Sequence, residues 1–180
     1  MASKLTTITQ QKSAAQLQTM SRESIQWLQK KVGDLKNPQY IPRSIKNEKQ
    51  RHNKRFVLGG LYFFYYDPKL KKDLPYYDKF PLVIPLEKYH DGFLGLNLHY
   101  LPMSQRELLL IGLSRYNNQA LINKNTRFVV SYDTIRSDPR IYQLAEPCIH
   151  RYLFTQVRSK FIQIFPDEFD KAIQLPVEDW

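Results

Sequence analysis

Leu61-Tyr62-Phe63-Phe64-Tyr65-Tyr66 is an almost unbroken aromatic run, and it follows Phe56-Val57-Leu58 and the pair Gly59-Gly60. Aromatic residues favour strands, and Gly-Gly punctuates them, so the stretch reads as two β-prone segments separated by a turn. A strand that is aromatic on both faces cannot leave one face in water without cost. It is either central in a sheet covered on both sides, or one of its faces binds something.

Working outward, Asp67-Pro68 closes that strand and Lys69–Asp73 forms a charged loop ahead of Leu74-Pro75-Tyr76-Tyr77-Asp78. Pro81–Leu86 is the next expected strand. Its prolines cannot donate to a ladder, which favours an edge position or a bent path. Asp91-Gly92 signals a hairpin turn, and Phe93–Leu98 alternates with period 2 as the returning strand. The whole segment 56–100 carries 12 of the 22 Phe and Tyr residues, which are expected mainly in the core. Tyr76, Tyr77, Tyr89 and Tyr100, beside prolines or turns, are expected near the surface.

The second half reads as mostly helical. Ser104-Gln105-Arg106-Glu107 matches a capping box, with Met103 and Leu108 as a hydrophobic staple, and predicts a helix from Gln105 to about Arg115, closed by Asn117-Asn118. Arg127–Tyr132 is an expected strand and Pro139–Leu144 a short helix. Pro147 can open a longer helix in which Ile149, Leu153, Val157 and Phe161 recur every four residues. Pro166-Asp167-Glu168 starts a last short helix docked by Phe169, Ile173 and Leu175. The expected class is α+β: a small, bent antiparallel sheet of about four to five strands with packed helices and an extended N-terminal helical arm.

That arm, residues 1–55, is read as separate from a compact domain, 56–180. Ile25, Leu28, Val32 and Leu35 recur at spacings of three and four beside Trp27, which gives an amphipathic helix ending before Asn37-Pro38. Residues 38–55 carry Arg43, Lys46, Lys49, Arg51, Lys54 and Arg55 with few apolar side chains, and read as an extended connector. The net charge of +10 lies entirely in residues 1–79, which hold 16 Lys and Arg against 6 Asp and Glu, while the remainder holds 11 of each. Such asymmetry points to long-range attraction for phosphates or for an acidic protein surface.

No enzymatic constellation emerges. His52, His90, His99 and His150 show no metal-ligand spacing, and Gly59-Gly60, Gly92 and Gly95 fit no phosphate-binding loop. His90-Asp91 and His99 meeting across the hairpin would be the one acid–base pair, against the plainer reading of solvated turn residues. Cations beside aromatic rings are the recipe for single-stranded nucleic acid, but the order of Gly and aromatic residues in Arg55–Phe63 departs from the RNA-recognition strand motif. One cysteine, Cys148, leaves no intrachain disulfide, and the N-terminal ten residues lack the apolar stretch of a signal peptide. With no apolar run long enough for a membrane span, the expectation is a soluble protein made in the cytoplasm, without cofactor, metal or membrane partner.

Tyr-Asp-Pro-Lys (66–69), Leu-Pro-Tyr-Tyr-Asp-Lys-Phe-Pro-Leu-Val-Ile-Pro-Leu (74–86) and Asp-Gly-Phe-Leu-Gly-Leu-Asn-Leu-His-Tyr-Leu-Pro (91–102) together resemble a block carried by small virion structural proteins of large contractile-tailed bacteriophages. The resemblance implies a non-enzymatic particle component made in the host cytoplasm, expected in the contractile tail or baseplate. Its partners would then be other virion subunits. The residues expected to meet them are Ile25, Trp27, Leu28, Val32, Arg43, Lys46, Lys49, Arg51, Lys54 and Arg55 of the arm, with Tyr76 and Tyr77. The alternative is a nucleic-acid-binding accessory protein that contacts the packaged genome or its ends.

Overall fold

The structure, a computed structural model, describes residues 55–73, 77–114, 128 and 130–174, with Glu23, Gln26 and the backbone of His52 and Asn53. The arm helix and most of the connector lie outside the described residues. Of them, Glu23 and Gln26 are helical and exposed, and Arg55 is exposed.

Among the described residues a six-stranded antiparallel sheet forms, in the order β1-β6-β2-β3-β4-β5. The strands are β1 (His52–Asn53), β2 (Leu61–Phe63), β3 (Leu82–Lys88), β4 (Gly92–Asn97), β5 (Ile149–Leu153) and β6 (Phe161–Ile164). The aromatic run is central, as its two-faced character requires: β2 pairs with β3 on one side and β6 on the other. Its residues alternate between two clusters. Leu61 and Phe63 join Leu82, Ile84, Leu96, Ile162 and Ile164 under the helices, whereas Tyr62 and Phe64 join Tyr66, Val83, Phe93, Tyr152 and Phe161 on the opposite face. Most rings of that second face meet edge to face or tilted, as with Phe64 and Phe161 at 5.0 Å and Phe56 and Phe93 at 4.6 Å, while Phe93 and Tyr152 stack at 5.2 Å and 19°. Buried phenols find partners, the Tyr62 hydroxyl accepting from Val57 N and that of Tyr66 from Leu153 N.

The helices cover the first face through Leu109, Leu110 and Leu113 of Met103–Ser114, Ile135 of Tyr132–Ser137, Ile141 and Ala145 of Pro139–Ala145, and Phe169 and Ala172 of Phe169–Ala172. The α+β class is therefore what the chain adopts. Gly59 has φ +78°, and a Cβ there would run into the Phe128 carbonyl, so the turn between Phe56 and β2 needs glycine.

Three local expectations are corrected, and one choice is decided. Of the two courses open to β3, an edge position or a bent path, the strand takes the second: it lies inside the sheet, its register shifts between Pro85 and Glu87, and the Pro85 carbonyl accepts from Gly59 N. The Met103 helix starts two residues early, with Gln105 N and Arg106 N donating to Pro102 O, so Ser104 lies inside the first turn and caps nothing. Residues 149–161 form β5, a short 3-10 turn and the start of β6 in place of one long helix. A spacing of four is also twice the strand period, and the β-branched and aromatic residues there favour the strand. The expected strand Arg127–Tyr132 fails at its far end, where Ser131 caps the Tyr132 helix with its hydroxyl; of the residues before it, Phe128 and Val130 are described and buried.

Candidate nucleic-acid interface

After β2 the chain continues through Phe64–Asp67 and is gripped from both sides. On one side Tyr66 forms a bridge with Val157, Asp67 N donates to Gln156 O at 3.0 Å, and Arg158 N donates to Tyr65 O at 2.9 Å. Tyr65 N also donates to Ser159 Oγ at 2.8 Å. On the other side Tyr66 N donates to Lys79 O at 2.9 Å. Three distant segments, 65–73, 77–80 and 156–160, thus meet at one corner of the sheet. The third arrives because residues 154–160 carry the chain from β5 across the aromatic face to β6, with Phe154 and Val157 packed on the rings.

This corner gathers Lys69, Lys71, Lys72, Lys79, Arg158 and Lys160, all exposed, against the carboxylates of Asp67 and Asp73 at the surface. Asp67 lies between two of the cations, 2.9 Å from Lys71 Nζ and 4.0 Å from Arg158 Nε. Its carboxyl is held below the ordinary value, chiefly by the hydrogen bond from Lys71, and the Lys71 ammonium is raised, first by that bond and less by the neighbouring Tyr77 and Tyr65 phenols. Two large apolar side chains stand among these charges: Leu70, 61% exposed at the turn, and Tyr65, 37% exposed and stacked on Phe80 at 5.3 Å and 30°. Elsewhere the described charges are mixed in sign. Arg151 is paired to Asp91 at 2.6 Å, for example, and lies 4.8 Å over the Tyr89 ring.

Of the interface residues expected from sequence, Tyr77 is half-buried in the 77–80 segment of this corner, and Arg55 is exposed next to Phe56. Ile25, Trp27, Leu28, Val32, Arg43, Lys46, Lys49, Arg51, Lys54 and Tyr76 lie outside the described residues or have side chains that do. Tyr65, Leu70, Arg158 and Lys160 were not singled out by the sequence. The run Lys-Leu-Lys-Lys at 69–72 was its only visible signal, because Arg158 and Lys160 lie in the charge-balanced half.

The suspected acid–base pair does not assemble. Asp91 faces Arg151, whereas His99 is buried and its Nδ1 donates to Asp78 Oδ2 at 2.7 Å. Asp78 also accepts from Asn97 Nδ2 and Phe80 N, both at 3.0 Å, which makes this network a clamp between the segment before β3 and the end of β4. Burial pushes the Asp78 carboxyl up, but the His99 ring and the three hydrogen bonds outweigh it, so the group lies below its ordinary value. Among the described residues no helix is long and apolar enough to cross a membrane, and no three His, Cys, Asp or Glu side chains gather as a metal-binding group.

No curated protein and no solved structure matches the chain. A family model does, over residues 2–180, that of the phage T4 terminal DNA protecting protein. The match supports the phage origin implied by the 66–102 block and overturns the tail or baseplate role expected from it, because the family is one of DNA-protecting proteins. From residue 2 to residue 180, the chain belongs to the phage T4 terminal DNA protecting protein family.

Proposed function

We propose that this protein is a non-enzymatic binder of the ends of linear phage DNA, acting in the virion or in the host cell, and that the corner built by residues 65–73, 77–80 and 156–160 meets the nucleic acid. The family match supplies the substrate class. The observation that carries the assignment to a surface is the gathering of six cations against two carboxylates at one corner of a domain whose other described charges are more evenly mixed. Lysine and arginine there would neutralise backbone phosphates and release counterions, giving affinity that falls steeply with salt. The basic segments of the arm would add to the same field.

The test is a titration of the full-length chain against a linear duplex and a covalently closed circle of the same sequence, over a range of salt. Tighter binding to the linear form, weakening steeply with salt, is expected, together with slower degradation of the linear duplex by an end-dependent exonuclease. No binding at low salt, or equal binding to both forms, would overturn the reading.

A further inference from the structure

Phosphates are alike at the end and in the interior of a duplex, so the lysines of the corner cannot by themselves tell one from the other. What an end has, and an interior lacks, is a base face with nothing stacked on it. A residue that senses the end must therefore offer a flat apolar surface beside the cations.

The large apolar side chains exposed among the described residues are Val57, Leu58, Tyr65, Leu70 and Leu108, and only Tyr65 and Leu70 stand in the basic corner. Of these two only Tyr65 is planar. It is also held in place: both its backbone polar groups are bonded to residues 158–159. Its ring is braced by Phe80, which is in turn stacked at 5.7 Å and 16° on the fully buried Phe63. A relay of ring contacts thus runs from the core to a phenol that is 37% exposed, on the segment whose Asp67 holds the Lys71 ammonium at 2.9 Å. A ring already immobilised loses little entropy when a second planar group is laid on it.

We propose that Tyr65 is the end-sensing residue, its ring stacking on the open base face at a DNA terminus while the surrounding lysines hold the adjoining phosphates. The proposal rests on the DNA-end reading above. The same stacking chemistry is offered by the last pair of a blunt end and by an unpaired base of an overhang.

The experiment compares the full-length chain with Tyr65→Ala, Tyr65→Leu and Tyr65→Phe. Each is titrated with a blunt 30-base-pair duplex, the same duplex bearing a short single-stranded overhang, and the same duplex closed at both ends by hairpin loops. A 2-aminopurine base at the terminal position reports stacking by quenching, and one at the centre serves as control. Since stacking on one base is worth about 1–3 kcal/mol, a preference of roughly 5- to 150-fold for open over closed duplex should be lost in Tyr65→Ala and Tyr65→Leu and kept in Tyr65→Phe. Affinity for the closed duplex should fall less than affinity for the open duplexes in Tyr65→Ala and Tyr65→Leu, and only the terminal probe should be quenched by the wild-type chain. The open form that is bound more tightly identifies the blunt pair or the overhang as the stacked base.

Tyr65→Leu keeps an apolar side chain over Phe80, so it guards against loss of folding in Tyr65→Ala. An unchanged open-to-closed ratio in a folded Tyr65→Leu chain, or no quenching of the terminal probe, would overturn the stacking proposal while leaving end binding intact. Failure of the wild-type chain to bind any of the three duplexes would overturn both.

Discussion

At the scale of single residues, two buried polar side chains carry consequences out of proportion to their number. Arg106 is 2% exposed and donates through Nε to Leu101 O and through Nη1 to Ile173 O, both at 2.8 Å, tying the start of the Met103 helix to the last helix. Arg106→Ala leaves those carbonyls without these donors, and a loss of about 3 kcal/mol is expected in urea unfolding, with little change in DNA affinity if the protein remains folded. Asp78 makes a pH prediction. Its folded carboxyl lies below the ordinary value of 3.8, so its contribution to stability is complete above that value and disappears as the pH falls through the lower folded value. Denaturation midpoints measured between pH 6 and pH 2 should therefore drop at the acid end. In Asp78→Asn the protein should be weaker at neutral pH and should lose less on acidification; a wild-type acid slope in that variant would show that other carboxyls carry it.

Elements differ in how plainly the sequence announces them. β2 and β3 are legible as short aromatic and β-branched runs bounded by Gly59-Gly60, Asp67-Pro68 and the Asp91-Gly92 turn, β4 by its alternation, and the central place of β2 follows from rings on both its faces. The stretch 149–161 is not, because apolar residues every four positions satisfy a helix and a strand alike. Pro85 leaves two courses open, an edge position or a bent path, and only the structure decides between them, with an irregularity in the ladder at that residue. The Lys69–Asp73 loop is where sequence and structure agree on the element but only the structure gives it a setting. Replacing Lys69, Lys71 and Lys72 together by Ala should leave the thermal midpoint close to wild type, since all three are exposed, and should reduce the slope of log affinity against log salt by as much as about 3. A triple variant with the wild-type slope would place the phosphate contacts elsewhere, the basic arm being the first alternative.

For the molecule as a whole, the candidate interface was half legible. The charge excess of residues 1–79 includes Lys69, Lys71, Lys72 and Lys79, but Arg158 and Lys160 reach them only because 154–160 crosses the aromatic face, a long-range arrangement that no local pattern encodes. The integrity of that arrangement can be followed through Cys148, which is fully buried and whose thiol burial pushes up to about 12. Its alkylation at pH 8 should be slow and should accelerate with denaturant in step with loss of the whole fold, whereas fast labelling under native conditions would reveal a separate opening of the Glu146–Cys148 turn. The position of β6 has a further consequence, for biosynthesis. Of the described strands this one is made last, yet it occupies the place between β1 and β2. Until residue 164 has left the ribosome, β2 presents an unpaired, intensely aromatic edge, and the sheet cannot close on its N-terminal side. A chain truncated before Phe161 would not be a smaller version of the protein but a sticky fragment, so a premature stop late in the message should yield aggregate and no partially active product.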